Sequence, residues 1–112
     1  MTSGAGEAGQ GKPTKISFVY SNPADPDAFE TAYPDQIALA RKLPGLIRLQ
    51  TSKVLPKEDG SPTPAYRLLD LYFGDYAAAS AAAAEAGPLV AATVEHATGG
   101  VVIAFAEVLE DA

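Results

Sequence analysis

Two side chains in this sequence could carry proton transfer. Asp70 stands inside the apolar run LLDLYF, where an ionised carboxylate must find partners or lose its solvation. A carboxylate in such a place suits acid–base work, so Asp70 is a candidate catalytic residue. The alternative is a structural Asp70 that faces solvent or pairs with Arg48 or Arg67 at a neighbouring strand position.

His96 is the only histidine of the chain. An imidazole is suited to proton exchange near neutral pH, and His96 lies shortly before the glycine pair Gly99-Gly100. His96 is therefore a candidate catalytic or ligand-binding residue, against the alternative of a structural histidine. The glycines do not form a phosphate-binding loop, because the predicted strand follows them and no lysine accompanies the turn.

Tyrosines offer a second kind of chemistry, the binding of a ring compound. Hydroxyls and ring faces of several tyrosines could line one apolar cavity, and the alternative for each of them is packing in the core. The tyrosines concerned are Tyr20, Tyr33, Tyr66 and Tyr72. We predict that Tyr20, Tyr33 and Tyr72 contact a ligand.

The composition excludes several classes of function. Without cysteine the chain has no disulfide, thiolate nucleophile or cysteine-ligated metal, and one histidine excludes a multi-histidine site within a subunit, so we expect neither metal nor cofactor. A formal net charge of −6 repels phosphate backbones and anionic lipid, so neither nucleic acid nor membrane is an expected partner. A small cysteine-free chain without an apolar targeting segment suits the reducing cytoplasm, where we expect it.

Length and composition predict one domain. The chain has 112 residues with 47% hydrophobic content, enough for a single core. Its first 13 residues, MTSGAGEAGQGKP, are rich in glycine and cannot bury enough surface to offset the entropy of ordering. We predict a disordered arm over residues 1–13 and a folded domain over residues 14–112.

Turn-forming clusters divide this domain into the order β-α-β-β-α-β. A helix is predicted after Asp25-Pro26 and another after Gly74-Asp75, because aspartate caps a helix and proline suits its first position. Pro34 predicts a kink or a new start near residues 33–35, and Pro88 opens a short third helix. The predicted strands are Lys15–Tyr20, the alternating segment from Ile47, Ala65–Phe73 and Val101–Leu109.

This order is the split βαβ arrangement, an α+β fold of ferredoxin-like topology. Right-handed crossovers place the helices on one face of a four-stranded antiparallel sheet, with the first and third strands in the centre. The last strand is then an edge that is apolar on both faces, which would invite aggregation if it were exposed. We expect helices to bury one side of Val101–Leu109 and a second subunit to bury the other.

Three segments of the chain stand out: YSNPADPDAF at residues 20–29, LARKLPGL at residues 39–46, and the segment Tyr66–Phe73 leading to ATGG at residues 97–100. Together they resemble the EthD family. The resemblance covers residues 14–109. It implies a homodimeric α+β barrel with a cavity between sheet and helices in each subunit. Many relatives carry a histidine in a Thr-His-x-Pro-Leu-Ala segment, and Gln36 stands at the matching position. Glutamine can hydrogen-bond a ligand but cannot shuttle a proton, so we predict Gln36 as a ligand contact.

Two functions follow from these observations. The first is binding of a small hydrophobic, aromatic or polyketide-like compound in a degradation or tailoring pathway, with any catalysis being that of a cofactor-independent isomerase, cyclase, dehydratase or monooxygenase. The second is an accessory protein of a cytochrome P450-type monooxygenase system, which the lack of a convincing acid–base pair favours. The EthD family is named for its association with ether degradation. The resemblance therefore implies a pathway of this kind.

Overall fold

The computed structural model describes residues 12–111. The predicted arm of residues 1–13 therefore lies, apart from its last two residues, outside the described part of the chain. Seven elements follow one another, and Pro13 is tied to the sheet because its carbonyl accepts a hydrogen bond from the Val108 amide at 2.8 Å. The elements are β1 (Thr14–Tyr20), α1 (Pro26–Arg41), β2 (Arg48–Lys53), β3 (Arg67–Phe73), α2 (Tyr76–Ala84), α3 (Gly87–His96) and β4 (Val101–Glu107).

Aspartate caps start the first two helices as predicted. The Asp25 side chain accepts a hydrogen bond from the amide of Ala28 at 3.1 Å, and Asp75 accepts one from Ala78 at 2.8 Å. The predicted new start at Pro34 is wrong, because α1 continues through it from Pro26 to Arg41. Proline removes a single backbone donor, and the buried side chains of α1 on both sides of Pro34 hold the helix against the sheet.

The four strands form one antiparallel sheet in the order β2-β3-β1-β4, so the predicted ferredoxin-like fold is confirmed. The pairs Ile16–Leu71 and Ile16–Phe105 define the register of β1 against its two neighbours, β3 and β4. Side chains alternate between two faces of a sheet. One face, with Ile16 and Leu71, lies under the helices; the other, with Ser17 and Asp70, we call the open face.

The core lies between the helices and the sheet. Its largest fully buried side chains come from both layers, and α1 buries Phe29, Tyr33, Ile37 and Ala40, which recur at about one turn each. The removal of their apolar surface from water is the main contribution that stabilises the packing of the helices on the sheet. These side chains are Tyr20, Phe29, Phe73, Leu69, Leu71 and Leu89, with the polar Gln36 and Thr93 among them.

The last strand departs from its prediction. It ends at Glu107 instead of Leu109, and its helix-side residues Ile103 and Phe105 remain 40% and 44% exposed. The helices fail to cover them because α2 is built from alanines and packs on the central strands β1 and β3. The expected burial of this side by helices is therefore wrong, and a gap remains beside the edge strand.

Within residues 12–111, no single helix is long and apolar enough to cross a membrane. The helices α2 and α3 reach that length and composition only as a pair, which is bent by 75° at the break between them.

Candidate functional site

Three of the predicted site residues meet in the layer between α1 and the sheet. Gln36 is 1% exposed, and its amide nitrogen donates a hydrogen bond to the hydroxyl of Tyr20. The Tyr20 ring stands edge-on to Tyr33 at 5.8 Å between centroids, and the Tyr33 hydroxyl lies 2.9 Å from the hydroxyl of Thr51. Gln36 faces inward because it follows the buried side of α1, next to Tyr33 and Ile37.

Both phenols of this group stay neutral near physiological pH. Burial raises the pKa of Tyr20 far above its usual value, nearby Tyr33 adds to the rise, and hydrogen bonds with Thr93 and Gln36 oppose it. Burial likewise raises the pKa of Tyr33, against a hydrogen bond with Thr51. The group can therefore donate and accept hydrogen bonds, and neither phenol can serve as a general base.

One polar atom of this group is left without a partner. The amide oxygen of Gln36 is buried and accepts no hydrogen bond from residues 12–111. Gln36 lines none of the four cavities described for this part of the chain. The glutamine is thus a buried bridge to Tyr20 with an unused acceptor.

A charged cluster beside this group was not predicted from the sequence. The Arg67 guanidinium lies 4.8 Å from the centroid of the Tyr33 ring and donates a hydrogen bond to Glu30. The Tyr66 hydroxyl donates to the same carboxylate oxygen at 2.6 Å. Hydrogen bonds from Tyr66 and then from Arg67 lower the pKa of Glu30. The register that sets Arg67 opposite Tyr20 creates this cluster, and nothing in the local sequence signals that register.

Asp70 lies on the open face, away from the tyrosines of the interior. Its carboxylate accepts a hydrogen bond from the Ser17 hydroxyl at 2.5 Å and lies 3.6 Å from the ammonium of Lys15. The alternative of a pair with Arg48 or Arg67 is wrong, because Lys15 is the ion-pair partner of Asp70 and Arg67 pairs with Glu30. Ser17 stands directly opposite Asp70 in the sheet. With a hydroxyl and an ammonium as partners, the carboxylate has a structural explanation.

Tyr72 is also on the open face, so the structure separates it from Tyr20 and Tyr33. Its hydroxyl donates to the side-chain oxygen of Gln50 at 2.8 Å, and the Arg48 guanidinium lies 4.3 Å from its ring centroid. The four tyrosines therefore do not line one cavity. Alternation along β3 explains the separation, since Leu71 and Phe73 on either side of Tyr72 are buried under the helices.

His96 is the last residue of α3 and is half-buried. No side-chain hydrogen bond described for residues 12–111 joins it to Tyr20, Tyr33 or Gln36. A shared site of His96 with the other predicted ligand contacts therefore stays a prediction.

An apolar cavity lies at the other end of the helix–sheet layer. Its volume is about 140 Å³, and all of its lining side chains are apolar. They come from β1, β3 and β4 on one side and, on the other, from α2, α3, the break between these two helices and the turn after α1. The lining residues are Ile16, Phe18, Leu43, Leu71, Ala83, Ala86, Leu89, Val90, Ile103 and Phe105.

None of the residues predicted as ligand contacts lines this cavity. The sequence signal that could have located it is the alanine run of α2, because small side chains opposite an apolar sheet leave space unfilled. Chemically, the cavity offers contact surface and no hydrogen-bonding side chain. No group of three or more acidic or histidine side chains suited to a metal ion occurs within residues 12–111.

The comparison with curated proteins finds a relative of the same size. An uncharacterized 11.0 kDa protein from the thcB–thcC intergenic region of Rhodococcus erythropolis is 36% identical over 96 residues, which cover 83% of this chain and 92% of the relative. No family model matches the sequence.

Solved structures share the fold at low sequence identity. An EthD family protein of Bacillus halodurans has a TM-score of 0.79 at 21% identity, with 87% of this chain and 99% of the other covered. A dimeric ferredoxin-like protein of unknown function from Thermobifida fusca gives 0.65 at 14% identity, covering 88% and 93%. SnoaB, a cofactor-independent oxygenase from Streptomyces nogalater, gives 0.57 at 17% identity, covering 90% and 94%. The chain therefore belongs to the family of the 11.0 kDa Rhodococcus protein, and its predicted likeness to EthD proteins is confirmed in the fold.

Proposed function

We propose that this protein binds a small, neutral hydrophobic compound in the apolar cavity between its helices and sheet. The observation that carries the proposal is the cavity of about 140 Å³ with a wholly apolar lining. Ligand sites are typically concave and mostly apolar, and cavities lined by aliphatic and aromatic side chains stay dry and accept apolar guests. A compound that fills this space gains the contacts that the alanines of α2 leave unmade.

Binding, and not turnover, is the role that the cavity supports best. SnoaB is a cofactor-independent oxygenase of the same fold, but a shared fold does not carry an activity with it. Proton transfer at a bound compound needs an acid or base within hydrogen-bond reach, and the cavity lining contains neither. Asp70, the sequence candidate for that task, lies on the opposite face of the sheet.

A titration with toluene tests this proposal. Toluene should shift the methyl resonances of Ile16 and Leu71, which line the cavity, in a saturable manner. The methyl groups of Leu69 provide the control. Leu69 is buried on the same face of β3 as Leu71 but does not line the cavity. Toluene that leaves all these resonances unchanged up to its solubility limit would refute the proposal.

We also propose that a second copy of the chain covers the open face. One end of this face is apolar, with Val19, Leu68 and the 64% exposed Val102 side by side in the register. Suppose that the twofold axis runs parallel to the strands and passes over the gap between β1 and β3. Asp70 on β3 of each copy then faces β1 of the other copy, the strand that carries Lys15. This charge complementarity, together with the dimeric relative of the same fold, supports the homodimer.

Sedimentation of two leucine variants tests the homodimer. Leu68→Asp should convert a dimer to a monomer, because it places a charge in the apolar end of the face that the second copy covers. Leu55→Asp should leave the mass unchanged, since Leu55 is a 74% exposed loop residue. A wild-type protein that sediments as a monomer at micromolar concentration would exclude the homodimer.

A second candidate role is that of an accessory protein for an oxygenase system. The lack of an acid or base in the cavity favours it, because the chain could hold a hydrophobic compound without converting it. Product formation by the isolated protein from a bound compound would rule out this role.

A further inference from the structure

The apolar cavity has a buried floor and an exposed rim. Six lining residues are almost fully buried, including Leu71 at 0% and Leu89 at 2% exposure. Four others are open to solvent and belong to the gap between the helices and the edge strand: Ala83, Val90, Ile103 and Phe105. The cavity thus opens to solvent along the helix-side edge of β4.

We infer that a ligand enters across this rim and that Ala83 sets its size, restricting the site to a neutral single ring or a short branched alkyl group. The inference rests on the proposed binding function and narrows it. A three-ring or larger polyketide does not belong to this class.

The volume supports the size limit. A dry cavity of roughly 150 Å³ lined by Leu, Ile and Phe holds one benzene molecule, and the present cavity is about 140 Å³ with a similar lining. Fused systems of three rings exceed that space. Phe18 and Leu71 belong to the packed core and bound the cavity on the inside, so the excess rings would have to stay outside the rim, without contact to the lining.

The lining also sets the polarity of the ligand. No side-chain donor, acceptor or charge lines the cavity, so a polar group of the ligand would lose its hydration without compensation. A charged analogue of the same size should therefore be rejected.

Ala83 is the residue of the rim where size can be tested cleanly. Ala83 is exposed on α2, so a larger side chain at this position should not prevent the protein from folding. It would narrow the opening between α2 and β4, because Ala83 lines the cavity. Ala84 is the next residue of the same helix, is also exposed and lines none of the described cavities. The proposed dimer leaves the rim accessible, because it uses the opposite face of the sheet.

The experiment compares Ala83→Leu with Ala84→Leu in the full chain. Toluene, benzoate and phenanthrene are titrated while the methyl resonances of Leu71 and Leu89 are followed, and the melting temperatures of both variants are checked against the wild type. We expect wild type and Ala84→Leu to bind toluene alike and to bind neither benzoate nor phenanthrene. Ala83→Leu should bind toluene about tenfold more weakly or not at all, because the leucine side chain occupies the opening.

The outcomes separate the inference from the proposed function. Binding of toluene together with equally strong binding of phenanthrene or benzoate would overturn the inference and leave the binding function intact. Equal affinities of Ala83→Leu and Ala84→Leu for toluene would overturn it as well. Only the absence of toluene binding to the wild type would remove the binding function itself.

Discussion

The amide nitrogen of Gln36 donates a hydrogen bond to the hydroxyl of Tyr20 inside the layer between α1 and the sheet. The bond joins a helix to a central strand at a point where both side chains are almost completely buried. Because water cannot replace a lost partner there, the bond contributes to the packing of α1 on the sheet more than an exposed bond would.

Gln36→Ala should lower the free energy of unfolding by about 1–3 kcal/mol, because it leaves the Tyr20 hydroxyl without this partner in the interior. Tyr20→Phe removes the other half of the bond, so the two changes should be non-additive in a double-mutant cycle. Urea denaturation of the four proteins measures this. Unchanged stability of Gln36→Ala, combined with weaker binding of a cognate compound, would instead identify Gln36 as the predicted ligand contact.

The charged cluster of Glu30, Tyr66 and Arg67 should make the free energy of unfolding depend on pH. Its carboxyl has a lowered pKa in the folded state, so its contribution is present above the pKa of the unfolded chain and is lost as the pH falls through the folded value. Because Glu30 is 44% exposed, the contribution is at most about 1 kcal/mol. Urea midpoints of Glu30→Gln should lie below those of the wild type at pH 7 and converge with them in acid.

Glu58→Gln provides the control for this pH series, because Glu58 is an exposed loop carboxylate in no described ion pair. It should follow the wild type at every pH. A difference between Glu30→Gln and the wild type that stays constant down to pH 3 would show that the loss is not electrostatic.

Gly99 should tolerate no side chain. A Cβ at this position would overlap the backbone carbonyl oxygen of Asn22, so Gly99→Ala must shift the segment that joins α3 to β4. We expect a loss of roughly 1–3 kcal/mol in the free energy of unfolding, as for other overpacked sites. Gly87→Ala is the matched change, since nothing lies within 4 Å of a Cβ there, and it should be neutral or slightly stabilising. Equal melting temperatures of the two variants would contradict the predicted clash.

Much of this architecture could be predicted because it depends on local signals. Asp25 and Asp75 begin helices through bonds to amides three residues ahead, and the spacing of Phe29, Tyr33 and Ile37 marks the buried side of α1. The order of the elements then leaves few topologies for the sheet.

The candidate site could not be predicted in the same way, because it depends on contacts between distant segments. The partners of Asp70 follow from the register of β1 against β3, and a shift of one residue would have turned Tyr72 into the interior. The cavity forms because the small side chains of α2 do not fill the space above the sheet. Its position depends on how the helices pack on the sheet. A tyrosine-rich composition therefore indicated a site at Tyr20 and Tyr33, whereas the open space lies beside Ala83 and Phe105.

A crystal of the protein soaked with iodobenzene tests the central claim most directly. The iodine gives an anomalous signal that marks its position without assumptions about the fold. We predict a single strong peak inside the cavity, among Ile16, Leu71 and Leu89. A cavity without a peak, in crystals whose iodobenzene binds only at other surfaces, would contradict the claim that this space is a ligand site.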